Sequence, residues 1–286
     1  VTFGGKKEDS SNVDILFVRL ARRIDRDFLE DSFPNVRYIL SPTTGHDHLD
    51  LSYFTEKGIT LISLKGEVSF LNSIPSTAEH TWALLLSLFR KLPAAAYHAL
   101  EGKWNRDLFI GNNLAGKTLG ILGFGRVGSQ IARFAHAFQM KVHAYDTRDI
   151  DYPDYVTGYS DFELFAKQID ILSIHIPMDE STLNWLDTSR ISKLMPGIRI
   201  VNTSRGGVWD EKFLAEQLRN GKISGIATDV LSHELEPDLL ALSPLIACAK
   251  EGFPVLITPH IAGACIESMH STEEFVVKKL LSKISG

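Results

Sequence analysis

The stretch TLGILGFGRVGSQIARFAHAFQMKVHAYD, Thr118–Asp146, decides the reading of the fold. Its apolar run Leu119–Leu122 predicts a strand. Gly123, Gly125 and Gly128 follow in the spacing G-x-G-x-x-G. Val127, Ile131, Phe134, Ala135 and Phe138 then recur at helical period. A second strand, Lys141–Tyr145, ends at Asp146, 18 positions beyond Gly128. Strand, glycine turn, helix, strand and acid in that order form a dinucleotide-binding unit. Gly123 permits the tight turn, Gly125 lets backbone approach a pyrophosphate, and Gly128 lets helix and strand pack closely. The start of the helix offers backbone N–H groups and the positive end of its dipole to phosphate. The carboxylate of Asp146 accepts from the adenosine ribose hydroxyls and repels a 2′-phosphate, which favours NAD over NADP.

Composition sets the outer limits. A chain of 286 residues with 44% hydrophobic content suits a globular protein of one large or two medium domains. A net charge of −5 without blocks of like charge argues against a nucleic-acid surface. No apolar run reaches membrane-spanning length. Cys248 and Cys265 have neither metal nor disulfide spacing, so a reducing cytoplasmic setting without a metal is expected. Residues 1–12 are polar and Gly/Ser-rich and are expected to be loop; the missing initiating Met leaves room for residues upstream.

Outward from the glycine turn, short apolar runs alternate with helical stretches. Strands are expected at 13–18, 36–40 and 59–63, with helices at 24–30 (Asp25 as a cap) and 49–57, forming a small α/β unit without the fingerprint. Residues 64–76 read as loop. The helix 77–92, capped by Thr77, is apolar around much of its circumference, so it is either core or a dimer contact. Beyond Asp146, strands are expected at 169–174, 198–201, 223–227 and 255–257, six in all with 119–122 and 141–145. Helices are expected at 160–167, 189–194 and 211–220, and a final amphipathic helix at 267–284. This is a doubly wound parallel α/β pattern.

In such a sheet, ligands sit outside the carboxyl ends of the strands. The polar residues just after the strands are Gly123–Gly128, Asp146, His175 with Pro177, Thr203–Ser204–Arg205, Asp229 and Pro259–His260. Arg205 has the planar fork to hold a carboxylate and polarise a carbonyl, against the alternative of an ordinary salt bridge. His260 suits proton transfer, with an unperturbed pKa of roughly 6.5. Glu234 and Glu236 are the candidate acids to orient it. Asp229 either holds a nicotinamide carboxamide or caps its turn. His46, His48 and Cys265 read as turn or packing residues, and Ser204 lacks a hydrolase elbow.

TTGHDHLDL (43–51), AEHTWALLL (78–86), LAGKTLGILGFGRVG (114–128), IHIPMDEST (174–182), VNTSRGGVWDE (201–211), ATDV (227–230) and TPHIAG (258–263) occur in the order found in the D-isomer-specific 2-hydroxyacid dehydrogenases, the family of D-3-phosphoglycerate dehydrogenase. The chain resembles that family from about Val13 to its C-terminus. The resemblance implies two Rossmann-like parallel-sheet domains. The NAD-binding domain, 76–261, would be inserted into a discontinuous substrate domain, 1–75 and 262–286. It implies NAD-dependent interconversion of a small 2-oxo acid and a D-2-hydroxy acid. Arg205 would bind the carboxylate and carbonyl, and His260 would be the acid/base paired with Glu234. Cofactor contacts would fall on Gly123, Gly125, Arg126, Val127, Gly128, Asp146, His175, Pro177, Thr182, Thr203, Ser204, Asp229 and Gly263. A homodimer through the helix 77–92 is implied as well.

Three departures qualify the resemblance. The family's Glu usually precedes Pro, which fits Glu236, whereas the distance from Asp229 and Arg205 favours Glu234. Lys65–Gly66 stands where the family's substrate loop often has Pro-Gly, with about five residues inserted before Ala78; a basic residue there suits a second anionic group on the substrate. The N-terminal strand and helix typical of the family are not expected in this sequence. The contrasting reading is an NAD(H)-binding corepressor-like regulator of the same fold, which can keep all of these motifs.

Overall fold

The computed structural model describes residue 10 and residues 12–285, so the expectation for residues 1–12 falls largely outside the described residues. The chain divides into two compact units, 1–74 with 264–286 and 75–263. In the smaller unit, β1 (Ile15–Phe17), α1 (Arg26–Ser32), β2 (Tyr38–Ser41), α2 (Leu51–Lys57), β3 (Thr60–Ser63) and the short helix α3 (Val68–Leu71) follow in order. The three strands are parallel, ordered β1-β2-β3. Helix starts are set locally: the Asp25 carboxylate accepts from Phe28 N at 3.1 Å, and Asp50 accepts from Tyr53 N at 3.0 Å. Gly58, left-handed at φ 67°, ends α2. Residues 64–76 are not wholly loop: α3 forms there because Leu71 has an apolar pocket to enter, among Leu40, Ile62 and Leu64.

The larger unit opens with α4 (Ser76–Arg90) and α5 (Leu92–Leu100), broken at Lys91, which takes φ 52°. Thr77 does not cap α4; Pro75 is its N-cap. Then come β4 (Thr118–Leu122), α6 (Arg126–Ala137), β5 (Lys141–Tyr145), β6 (Val156–Tyr159), α7 (Phe162–Ala166), β7 (Ile171–Ile174) and α8 (Thr188–Lys193). They are followed by β8 (Ile198–Asn202), α9 (Glu211–Arg219), β9 (Ile223–Thr228), α10 (Pro237–Leu240), α11 (Pro244–Lys250) and β10 (Val255–Ile257). The last helix, α12 (Ile266–Ile284), belongs to the smaller unit, where Val276 and Leu280 pack with Leu40, Ile62 and Leu64.

The seven strands of the larger unit are all parallel, in the order β10-β9-β8-β7-β4-β5-β6. Winding reverses between β4 and β7, the switch point at which such sheets open a crevice. One strand was not expected from sequence. β6 is short and interrupted by Gly158, and it forms because β5 offers it a free edge. Apolar clusters cover both faces: Leu172, Ile174, Ile200, Leu214 and Ile226 on one, and Trp82, Leu85, Ile121, Ile131 and Val201 on the other. That two-sided burial is why the strands read as continuous apolar runs.

Helix α4 therefore belongs largely to this core: Trp82, Leu84, Leu85 and Phe89 are buried. The exposed apolar surface lies just after it, at Tyr97, Leu100, Trp104, Leu108 and Ile110. Among the described residues no helix is long and apolar enough to cross a membrane.

Gly128 is the tightest joint of the glycine turn. A Cβ there would stand 2.2 Å from the Gly123 carbonyl oxygen, a backbone atom that cannot swing aside. Gly128→Ala should lower stability by about 1–3 kcal/mol, read by denaturant unfolding, as overpacking does in a filled core.

Candidate active site

Because the strands are parallel, their carboxyl ends share one edge, and the polar residues after them collect there. Gly123 follows β4 with φ 91°, and its Cα lies against the backbone of His175, which follows β7; a Cβ would meet the His175 carbonyl at 2.8 Å. Gly125 differs. It is the N-cap of the twelve-residue helix α6, carries no side-chain cap, and a Cβ on it would meet nothing within 4 Å. The missing Cβ at Gly125 thus leaves open space beside the helix start, where a phosphate can approach. Arg126 and Val127 begin α6, both partly buried. Burial pulls the Arg126 guanidinium below its usual range.

Asp146 sits at the end of β5 and is held from two sides. Phe124 N donates to its Oδ2 at 2.8 Å, tying it to the glycine turn. Arg148, which sequence reasoning passed over, donates from its backbone N and Nε to Oδ1 (3.0 and 2.9 Å) and from Nη2 to Oδ2 at 2.8 Å. The guanidinium, opposed by burial and helped by the backbone donors, holds the Asp146 carboxyl below the usual range. Arg148 stood two positions from a recognised acid, but no spacing rule identified it as a partner.

His175 is partly buried, with Nε2 2.7 Å from Ser173 Oγ. Burial first, then the nearby Arg126 charge, pushes its pKa down to about 3. It is therefore neutral through the neutral range. In the next loop the Thr182 hydroxyl donates to the Pro177 carbonyl at 2.7 Å. The Thr203 hydroxyl is 2.7 Å from that of Thr81 on α4, both buried.

Arg205 is presented by a turn that Asn202 builds. The fully buried Asn202 side chain accepts from Ser204 N and Oγ (2.9 and 2.8 Å) and donates to the Arg205 carbonyl at 2.9 Å. Arg205 Nη1 donates to the Ser204 carbonyl at 2.8 Å. This turn packs on the loop after β9. A Cβ on Gly206 would lie 2.1 Å from the Leu231 carbonyl carbon, and Ser232 Oγ approaches the Gly206 carbonyl at 3.4 Å. Glu211, buried at the start of α9, fastens the same loop by accepting from Ser232 N at 3.0 Å and from the Ser243 hydroxyl.

That loop carries Glu234, whose Oε1 meets His260 Nδ1 at 2.5 Å. Glu236 pairs instead with His233 at 3.1 Å, exposed to solvent. Asp229 caps the turn that carries His260. Its carboxylate has no exposed surface and accepts from Thr258 Oγ1 (2.6 Å), Ile261 N (2.9 Å) and Ala262 N (2.7 Å). Burial opposes its charge, but the contact with His80 and these donors outweigh that cost and hold its pKa below the ordinary value. Gly263, exposed, closes the turn. Lys65 and Gly66 lie in the smaller unit just after β3. Both are exposed, Gly66 takes φ 88°, and the adjoining Glu67 is ion-paired with Lys279 of α12.

A switch-point glycine turn, an acid after β5, and a Glu in the loop after β9 that meets a His after β10 define a dinucleotide-binding α/β protein with a paired carboxylate and imidazole at the sheet's carboxyl edge. Comparison with known proteins carries this further. Residues 82–262 match the family described as D-isomer specific 2-hydroxyacid dehydrogenase, NAD binding domain. The hydroxypyruvate reductase of Thermotoga maritima is 33% identical over 277 residues, covering 95% of this chain and 85% of that protein. The D-3-phosphoglycerate dehydrogenase of Bacillus subtilis is 33% identical over 285 residues, 98% of this chain but 51% of that longer protein. The D-lactate dehydrogenase of Aquifex aeolicus, solved with NAD and lactic acid, superposes with a TM-score of 0.78 at 27% identity, covering 99% of this chain and 86% of that one. The chain belongs to the D-isomer specific 2-hydroxyacid dehydrogenase family. It is an NAD-dependent dehydrogenase of parallel α/β fold.

Two outcomes test the site. Gly125→Ala should change the melting temperature little, since a helix N-cap exchange of this kind costs about 1 kcal/mol or less, yet weaken NADH binding clearly in a fluorescence titration. His175 supplies a pH signature. Its proton affinity is higher unfolded (about 6.5) than folded (about 3), so its contribution to stability is complete above the unfolded value. That contribution is lost as pH falls from there toward the folded one. His175→Gln should flatten the fall in melting temperature across that acid window.

Proposed function

We propose that the protein reversibly reduces a small 2-oxo acid to a D-2-hydroxy acid, with Arg205, Glu234 and His260 as its working residues. The observation that carries the reading is the 2.5 Å contact between Glu234 Oε1 and His260 Nδ1 at the strand edge that also holds the glycine turn. Bound NADH supplies the hydride. The pyrophosphate would lie along Gly123, Gly125 and the start of α6, with the adenosine ribose toward Asp146 and Arg148. The Arg205 guanidinium would hold the substrate carboxylate and polarise the carbonyl. With Nδ1 taken by Glu234, Nε2 of His260 is the nitrogen left to deliver a proton to the carbonyl oxygen, and to remove it from the hydroxyl in the reverse direction. The Glu234 carboxylate fixes that tautomer and stabilises the imidazolium when the ring is protonated. Glyoxylate, hydroxypyruvate, pyruvate and 3-phosphohydroxypyruvate are the substrates to try. Two free thiols agree with a reducing cytoplasmic setting.

NADH oxidation across that panel is the direct test. Binding of NADH without turnover of any 2-oxo acid would turn the reading toward a cofactor-binding regulator. His260→Ala should lower kcat by about 10²–10⁴, the usual contribution of a positioned acid, with NADH affinity kept. Arg205→Ala should raise KM and lower kcat together; unchanged kinetics would remove it from the mechanism.

The partner we propose is a second copy of the chain. The apolar side chains buried on α4 serve the core, so the contact surface would centre on the segment just after it, where Leu100 is 86% and Trp104 91% exposed. Trp104→Asp combined with Leu100→Asp should shift sedimentation from dimer to monomer; wild-type protein sedimenting as a monomer would overturn the dimer.

A further inference from the structure

His260 occupies a backbone conformation that needs support. Its φ of 54° is in the left-handed region, unfavourable for a residue with a Cβ unless its surroundings hold it there. The support can be traced bond by bond. His260 N donates to the Asp229 and Thr258 carbonyls at 2.9 and 3.0 Å. The next two amides, Ile261 N and Ala262 N, donate to the two oxygens of the buried Asp229 carboxylate. That carboxylate is fixed in turn by Thr258 Oγ1 at 2.6 Å. An ionised carboxylate only accepts, so the single Thr258 hydroxyl proton goes to Asp229. The neighbouring His80 Nε2, 2.9 Å from Thr258 Oγ1 and 3.3 Å from Asp229 Oδ1, must then be the donor. His80 projects from α4, a helix rooted in the core by Trp82, Leu84 and Leu85.

We propose that His80 is a positioning residue: its Nε2–H, passed through Thr258 and Asp229 to the 258–262 turn, holds the His260 imidazole at the place where it exchanges its proton. The proposal rests on His260 being the acid/base group of the reading above. A displacement of about 1 Å at a reacting group costs on the order of 10²-fold in rate. A core helix donating into a buried carboxylate prevents drift of that size better than an exposed turn could alone. The role runs through Thr258 and Asp229 and requires no contact between His80 and substrate.

The test uses the intact protein, with His80→Leu, His80→Gln and Thr258→Val measured beside His260→Ala. The Gln side-chain amide can present an N–H where Nε2–H stood, whereas Leu cannot. We expect His80→Leu and Thr258→Val to lower kcat about 10–100-fold. We expect His80→Gln to recover to within about threefold of wild type, with all three binding NADH as the wild type does by fluorescence titration. Recovery in Gln but not Leu separates positioning from simple filling of the site. Should His80→Leu fail to fold, the contrast between Thr258→Val and His80→Gln carries the same information. If His260→Ala is crippled while His80→Leu and Thr258→Val keep the wild-type kcat, the positioning role is overturned and the acid/base reading stands. If His260→Ala itself keeps the wild-type rate, the acid/base reading falls and this inference falls with it.

Discussion

Every strand of the larger unit runs the same way, and the chemistry of the protein depends on that constraint. Parallel strands need crossovers, the crossovers are helices that cover both faces, and the strand ends they leave bare lie on one edge. Where the winding reverses, between β4 and β7, two connections leave in opposite directions and open a gap. The glycine turn lies in that gap because side chains cannot: Gly123 rests on the backbone of His175, and Gly128 rests on Gly123. Gly125 is the exception in the trio, since a Cβ on it would meet open space rather than protein.

Around this edge the loops are held by buried polar groups rather than by apolar packing. Asn202 shapes the turn of Arg205, Glu211 fastens the loop of Glu234, and Asp229 caps the turn of His260. Each is buried, and each has donors or acceptors matched to its lone pairs. Buried polar groups in such numbers are costly unless paired. When paired, they fix geometry more narrowly than interchangeable methyl contacts do. The arrangement lets exposed, irregular segments carry side chains that must be aimed. The pairing of Asp146 with Arg148 is a related case: a carboxylate that alone would present a full negative charge is instead part of an ion pair, fastened through Phe124 to the glycine turn.

How much of this could be read without coordinates follows from the range of the forces involved. The glycine turn, the strand–helix alternation and the cap at Asp25 are local, set by steric and hydrogen-bonding rules that act within a few residues. The positions of Asp146, Arg205 and His260 directly after strands were legible for the same reason. Edge strand β6 was not, because VTGY is only four residues long and is interrupted by Gly158, and it becomes a strand when β5 offers it partners. Nor was the turn of helix at Val68–Leu71, which exists to place Leu71 in a pocket built partly by a distant stretch of chain.

The sequence by itself determined the fold class and the dinucleotide-binding turn, since these rest on period and spacing along the chain, and its motifs, in their order, carried the resemblance to the family. Between Glu234 and Glu236 the sequence offered opposed signals, spacing for the first and a following Pro for the second, and the loop in the tertiary structure directs Glu234 toward His260 and Glu236 toward His233. Only the tertiary structure showed that α4 turns its apolar side chains largely into the core, and that His80, 178 positions from Thr258, meets it at 2.9 Å. Periodicity states that a residue is buried. Which partner it is buried against depends on how distant strands are ordered in the sheet, and no local pattern encodes that order.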